Sequence, residues 1–305
     1  MSYIAQRLLH GAFVLLGVTA VVFGLTFLTG DPASVLVPLN TSAEEVEKFR
    51  HTMGLDRPAP VQYVDFLQRA VRGDFGDSFR HRSPAMPLVL ERIPATLRLS
   101  AVALTFALLI SIPLGTIAAL HHRRPLDALS RLLALLGQSI PAFWLAIVLI
   151  LVFAVYLHWL PSSGAEGWQS LILPGFTVGA ASAATLARLL RSSLLEALTQ
   201  DYVRTAYAKG LSGRAVLIRH AMRNAALPVI SFLALQVVFV LSNAVVVESI
   251  FAYPGMGRLA VEAIATRDVP VIQAFVTLAA AVVVVVNIVV DLSYVWLDPR
   301  IRLGR

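Results

Sequence analysis

The stretch IPAFWLAIVLILVFAVYLHWLP, Ile140 to Pro161, decides what kind of fold this chain can adopt. It holds no Asp, Glu, Lys or Arg, and an apolar run of about 20 residues is what crossing roughly 30 Å of hydrocarbon requires. The rest of the chain repeats the pattern: of 305 residues, 57% are hydrophobic and only 14% charged, with a mean hydropathy of +0.76. A soluble domain of this size needs far more charge to cover its surface. The sequence therefore reads as an all-α integral membrane protein.

Working outward from that run, six membrane-spanning helices are expected near Leu8–Leu28, Thr96–Leu120, Leu132–His158, Leu171–Leu190, Leu227–Ile250 and Ile272–Trp296. Pro113, Pro141 and Pro174 fall inside them and predict kinks. The first run is too long for a signal-peptide core and lacks a small-residue cleavage site, so it is read as a retained helix. The net charge of +7 does not point to nucleic acid, because the basic residues sit beside the apolar runs, as the positive-inside rule asks. His121–Arg131 carries Arg123, Arg124 and Arg131, Arg188–Arg223 carries seven basic residues, and the tail holds Arg300, Arg302 and Arg305, whereas Trp159–Ser170 has no Lys or Arg. Both termini and the even-numbered loops are expected on the cytoplasmic side of the membrane. With no cysteine, disulfides and thiolate metal sites are excluded.

Three regions follow: residues 1–29 with the first span, an extracytoplasmic helical subdomain over 30–93, and a core over 94–305 whose cytoplasmic loop, 191–226, joins spans four and five. In the outer segment, SAEEVEKFRHTM (Ser42–Met53) reads as a helix with Ser42 as N-cap, Glu45 closing a capping box and Gly54 as its stop. A second amphipathic run, Val61–Val71, places Val61, Val64, Leu67 and Val71 on one face, and the turn GDFGDSF (Gly73–Phe79) comes next. Such a subdomain either meets a soluble partner or caps the spans.

The loop before the fifth span is the most basic run: DYVRTAYAKGLSGRAVLIRHAMRNAALPVI, Asp201 to Ile230. Helical spacing from Glu196 to Lys209 ends at Gly210, a left-handed stop. Ser212 caps a second helix through Ala226, and Pro228 marks the next span. Arg219 and Arg223 lie a turn apart, with Arg214 and His220 nearby. A loop needing only charge for topology has no use for two capped helices, so a helix–corner–helix at Lys209–Gly210–Leu211 reads as a docking knob; contact of its arginines with lipid headgroups is a further reading that can coexist with docking.

Chemistry is thin elsewhere. A phosphate-cradling loop needs Gly-x-x-x-x-Gly-Lys, and neither lysine, Lys48 or Lys209, follows a glycine. No nucleophile–base–acid constellation is spaced for catalysis, so the chain is read as non-catalytic. His121 and His122 abut arginines and read as topological; His158 is a weak metal candidate. Gln138, Ser139, Gln236, Ser242, Asn243 and Asn287 lie within spans, where each lines a translocation path or bonds between helices. Glu248 lies at the outer end of the fifth span and Asp291 about a turn from the inner end of the sixth; a structural role is read over transport for both, Asp291 pairing with an arginine such as Arg300. The absence of an internal repeat argues against an ion-coupled secondary transporter, and kinked, polar-dotted spans argue against a passive scaffold.

The run RTAYAKGL followed by RHAMRNAALP resembles the cytoplasmic "EAA" loop of ABC-importer permeases. Ala206, Gly210, Leu227 and Pro228 match; Arg204 replaces the generic Glu, and the spacing from Gly210 to Pro228 is longer, both as in the peptide/nickel branch. TGDPA (Thr29–Ala33), MGLDRPAPVQY (Met53–Tyr63), GDFGDSF, IPATLRLS (Ile93–Ser100), ESIFAYPGMGR (Glu248–Arg258) and LDPRIR (Leu297–Arg302) extend that likeness along nearly the whole chain. The resemblance implies a B-type permease subunit importing di- or oligopeptides, with nickel or a nickel chelate as the alternative cargo. It further implies heterodimerisation with a second permease, two cytoplasmic ATP-binding subunits holding ATP and Mg, an extracytoplasmic binding protein, and no cofactor on this chain. Arg204, Ala206, Lys209, Gly210, Leu211, Ser212 and Arg214 would couple to the ATPases. Asp74, Phe75, Tyr253, Pro254 and Arg258 would receive the binding protein.

Overall fold

The computed structural model describes residues 3–28, 43–52 and 56–297. The expected Ser42 cap, the Gly54 stop, the Thr29–Ala33 motif, the basic tail and the partner of Asp291 lie outside the described residues and side chains.

Among the described residues the chain is helical, with one isolated β-bridge, Asp77 to Pro84. The helices are α1 Tyr3–Leu28, α2 Ala43–Thr52, α3 Ala59–Val71, α4 Ala85–Leu120, α5 Pro125–Ser139, α6 Ala142–Leu149, α7 Ile172–Leu198, α8 Asp201–Ala208, α9 Gly213–Val216, α10 Met222–Ile250, α11 Met256–Thr266 and α12 Val269–Leu297. A π-helical segment, Ile150–Tyr156, prolongs α6; another, Leu217–Ala221, joins α9 to α10; and a 3-10 turn, Trp168–Leu171, leads into α7. Among the described residues, four helical segments are long and apolar enough to cross a membrane singly, and six crossings result if two bent pairs each count as one.

The chain divides into two compact units. One gathers the described residues up to Ile93 with Leu259–Ile288. Here α1 and α12 approach so closely that a Cβ on Gly11 would lie 2.6 Å from Cγ1 of Val284. The short helix α3 starts with Pro58 as its N-cap and is tied to α1 by its aromatic face. Tyr63 Oη donates to the Leu16 carbonyl at 2.9 Å and lies 3.0 Å from Thr19 Oγ1. The rings of Phe23, Tyr63, Phe66 and Phe75 form a continuous cluster with centroids 5.4–6.3 Å apart. This corrects the expected inward face: Val61, Val64 and Val71 are exposed, and Phe66 is buried, because aromatic rings carry more apolar area into the core than valines do.

The other unit gathers Pro94–Arg258 with the described residues from Val289. Its core is a small-residue seam. A Cβ on Gly179 would sit 2.4 Å from the Ala103 carbonyl oxygen, and one on Gly115 2.7 Å from that of Ala187, so α4 and α7 meet backbone to backbone. Close approach through small residues is how helices gain dispersion energy where lipid removes the hydrophobic drive. Leu186, Leu190, Leu194, Ala221, Ala225 and Val229 fill the space between α7 and α10.

Several expected elements change. The third span is not one rod: Pro125–Ser139 and Ala142–Tyr156 meet at 102°, because Pro141 lacks an N–H and holds Ile140 extended (φ −76°, ψ 122°). Pro113, by contrast, lies inside the continuous helix α4, and Pro174 falls in the first turn of α7, where a missing N–H costs little. The expected helix Glu196–Lys209 is two, since Gln200 is extended as the N-cap of α8. The second loop helix does not stop before Pro228; helical backbone runs from α9 through the π turn into α10, with Pro228 inside it.

Candidate functional site

The corner after α8 is built from local chemistry. Gly210 takes φ +78°, a left-handed conformation that costs a residue with a Cβ about 1–2 kcal/mol. With it in place, Gly210 N–H donates to Tyr207 O at 2.9 Å and Leu211 N–H to Ala206 O at 3.3 Å, the paired bonds of a Schellman stop. Leu211 then folds back on buried Val203, Ala206 and Val216. The Ser212 hydroxyl accepts Ala215 N–H at 3.4 Å, and the Ser212 carbonyl accepts Val216 N–H at 2.9 Å. Of the seven coupling candidates, Ala206 is thus core and Leu211 half-buried, whereas Arg204, Lys209, Gly210, Ser212 and Arg214 are exposed. Arg204 lies 3.7 Å from exposed Asp201. The result is a small capped knob with its own apolar core and a cationic surface.

A second built site closes the C-terminal end of α10. Glu248 is fully buried; its Oε1 accepts the Thr96 hydroxyl at 2.6 Å, and its Oε2 accepts the N–H groups of Gly257 and Arg258 at 2.8 and 3.2 Å. Thr96 Oγ1 in turn accepts Met256 N–H at 2.9 Å. Three N–H groups that α11 would leave orphaned in its first turn therefore end on two side chains from α4 and α10. The turn closes so tightly that a Cβ on Gly255 would lie 2.1 Å from the Glu248 carboxyl. Glu248 does occupy a structural corner.

The docking candidates separate on burial. Phe75 and Tyr253 are 7% and 3% exposed; Phe75 stacks edge-on against Phe66, Tyr253 packs with Leu99 and Ala244, and burial pushes its phenol above the ordinary value. Neither ring is a surface a partner could meet, which corrects their assignment: in sequence, a docking aromatic and a core aromatic look alike. Asp74 is exposed and caps its own turn through Gly76 N–H at 2.9 Å, Pro254 is half-buried, and the Arg258 guanidinium reaches the Ala252 carbonyl.

The polar residues of the spans have separate fates. Gln236 is buried and accepts the Ser182 hydroxyl at 2.8 Å, a bond between α7 and α10. Ser242 and Asn243 bond back to Val238 and Phe239 carbonyls of their own helix. Gln138 and Ser139 are exposed where α5 ends at the bend, and Asn287 is exposed in the other unit.

One group escaped the sequence reading. Asp127, 1% exposed, takes both arms of Arg191, Nε to Oδ1 at 2.7 Å and Nη2 to Oδ2 at 2.9 Å, and accepts Arg123 N–H at 3.1 Å. Arg131 and His122 stand 3.5 and 3.6 Å away. An acid in the third helical position after Pro125 is a helix-start signal, but nothing local announces a partner 64 residues on.

The fold so described is that of an ABC-transporter permease. An amino acid ABC transporter superposes with TM-score 0.53 at 13% identity over 68% of this chain and 92% of its own; the MetNI methionine ABC transporter, in inward-facing form, does so with TM-score 0.56 at 16% identity over 70% and 97%. The chain belongs to the family of binding-protein-dependent transport system inner membrane components, whose model matches residues 111–303, preceded by that family's N-terminal membrane component over residues 1–100. The glutathione transport system permease protein GsiC of Escherichia coli strain K12 and that of Shigella dysenteriae are each 41% identical over 303 residues, 99% of both chains. The protein is accordingly a multi-pass, non-catalytic permease subunit of an ABC importer in the peptide/nickel family, with ATP hydrolysis in partner chains.

Proposed function

We propose that this chain imports small peptides, tripeptides of the glutathione kind included, as one permease of a heterodimer served by two cytoplasmic ATPases and an extracytoplasmic binding protein. The observation that carries the reading is full-length similarity, 41% identical across 99% of both chains, to permeases of a glutathione transport system. Both termini and the 191–226 loop face the cytoplasm, following the arginine distribution. ATP and Mg stay on the ATPases, and this chain binds no cofactor. The capped knob at Lys209–Gly210–Leu211 seats in an ATPase groove, and closure of the ATPases draws the two permeases' knobs together, turning the central path outward. Exposed Gln138 and Ser139 at the α5–α6 bend, with Asn243, are the polar groups offered to that path. A path so sparsely polar fits cargo that is carried rather than gripped, with selectivity left to the binding protein.

The test is uptake by cells with and without this gene, offered labelled glutathione, a labelled dipeptide and radioactive nickel in parallel. Loss of peptide uptake alone is expected. Loss of nickel uptake alone would move the protein to metal import, and unchanged uptake of all three would remove the cargo assignment.

A further inference from the structure

The hairpin between α3 and α4 is held in an unusual way. Asp268, at the α11–α12 junction, is 2% exposed and gathers three donors from that hairpin: Ser78 Oγ at 2.5 Å, Phe79 N–H at 3.2 Å and Arg80 N–H at 3.3 Å. Ser78 Oγ also accepts His81 N–H at 2.9 Å. Ser78 N–H donates to Ser83 O, Arg82 N–H to Ser78 O and Ala85 N–H to Gly76 O, at 2.9, 2.9 and 3.0 Å. The loop is therefore closed on itself and bolted to a buried carboxylate, while Arg80, His81 and Arg82 at its tip are exposed, and Arg267 stands exposed beside the bolt. Arg82 and Arg267 take φ +50° and +54°, where Gly or Asn sits with less strain. Such outliers run from geometry toward function. Among the described residues no ion pair involves Arg80, Arg82 or Arg267. Of the loop's own acids, Asp74 is already turned onto Gly76 N–H and Asp77 is the other. A rigid loop that keeps two guanidinium groups in water, with a third beside it on Arg267 and none of them ion-paired among the described residues, has kept them for an outside partner.

The solved permeases match only 68–70% of this chain while giving 92–97% of their own length, and a separate family model describes residues 1–100. This chain carries length that those permeases lack.

We infer that the Arg80–His81–Arg82 tip, with Arg267, is an electrostatic landing site for an acidic face of the soluble binding protein. The inference rests on the importer reading above and on the outward placement of residues 30–93. It moves docking away from Phe75 and Tyr253, whose rings are core, to the cationic tip five to seven residues beyond Phe75. A carboxylate-rich partner surface fits planar, bidentate guanidinium donors, and such pairs set association rate and its salt dependence more than the chemistry that follows.

The experiment uses the full complex in proteoliposomes and reads ATP hydrolysis as cargo-loaded binding protein is titrated in. The wild-type complex is compared with Arg80→Glu combined with Arg82→Asn, the asparagine tolerating the left-handed backbone, in vesicles of zwitterionic lipid and of added anionic lipid. The expected result is a rise of about tenfold in the half-maximal binding-protein concentration, with the saturated rate unchanged, and a wild-type value that weakens with salt as the variant's does not. Superimposable curves would overturn the inference and leave the importer reading standing. A variant effect seen only with anionic lipid would assign the tip to headgroups and overturn it equally. If loaded binding protein fails to stimulate even the wild-type complex, both readings fall.

Discussion

Among the described residues Asp127 is the only carboxylate paired with Arg191, and Asp127→Ala removes it. The pair is bidentate, at 2.7 and 2.9 Å, and each charge-assisted bond contributes about 1.5–3 kcal/mol. Breaking a buried pair by deleting one partner costs about 3–5 kcal/mol, since the other charge stays behind. Arg191 keeps 19% exposure, so some water reaches it, and a loss near the lower end, about 3 kcal/mol, is expected for Asp127→Ala. The double variant Asp127→Leu, Arg191→Met replaces both ions by apolar volume, and about 0–1 kcal/mol should then be lost. Arg131 and His122 would turn to water, being 58% and 44% exposed. The assay is reversible unfolding of the purified protein in mixed micelles, followed by tryptophan fluorescence, for wild type, Asp127→Ala, and the cycle formed by Asp127→Leu, Arg191→Met and their double variant. A coupling of at least about 2 kcal/mol between the two sites is expected. A double variant no more stable than Asp127→Ala would refute the reasoning, because the cost would then belong to packing around residue 127 and not to a stranded guanidinium.

Gly210→Ala, forced to φ +78°, should cost about 1 kcal/mol locally and lower ATP hydrolysis coupled to transport without lowering membrane yield; Gly210→Asn should fall between. Gly179→Val places a side chain where a Cβ alone stands 2.4 Å from the Ala103 oxygen, so α4 and α7 should part and monodisperse protein be lost on size exclusion, whereas Gly17→Ala, with open space around it, should behave as wild type. Phe66→Ala empties the ring cluster at about 3–5 kcal/mol and should expose the 56–84 segment to limited proteolysis while the spans remain protected. Glu248→Leu leaves the Gly257 and Arg258 N–H groups without their acceptor, about 1–3 kcal/mol each, and should free the 253–258 turn for faster hydrogen exchange.

What the sequence made legible is what is local or compositional. Apolar runs announce spans because hydrocarbon admits little else, and the Gly210 stop with its Ser212 cap announces the corner because both act within five residues. The structure departs wherever the decisive partner is distant. Pro141 was visible as a kink, but a 102° turn depends on where α5 and α6 find packing. The inner face of α3 went to Tyr63 and Phe66 because Phe23, on a distant helix, and Phe75, in the turn that follows, were there to meet them. Asp127 gave no hint of Arg191, nor Ser78 of Asp268. Pro228 signals a helix start in isolation, yet here a π turn and the packed core of α7 carry helical backbone through it.

The bond from Ser78 to Asp268 spans 190 residues, and that separation is also an interval of time. A ribosome adding about 5–20 residues per second needs roughly 10–40 s to travel it. For that interval the hairpin exists without its bolt, with Arg80 and Arg82 unplaced. Only when synthesis reaches Asp268 can it set them. The landing loop is thus completed late, by a residue whose arrival reports that the helices between have been made.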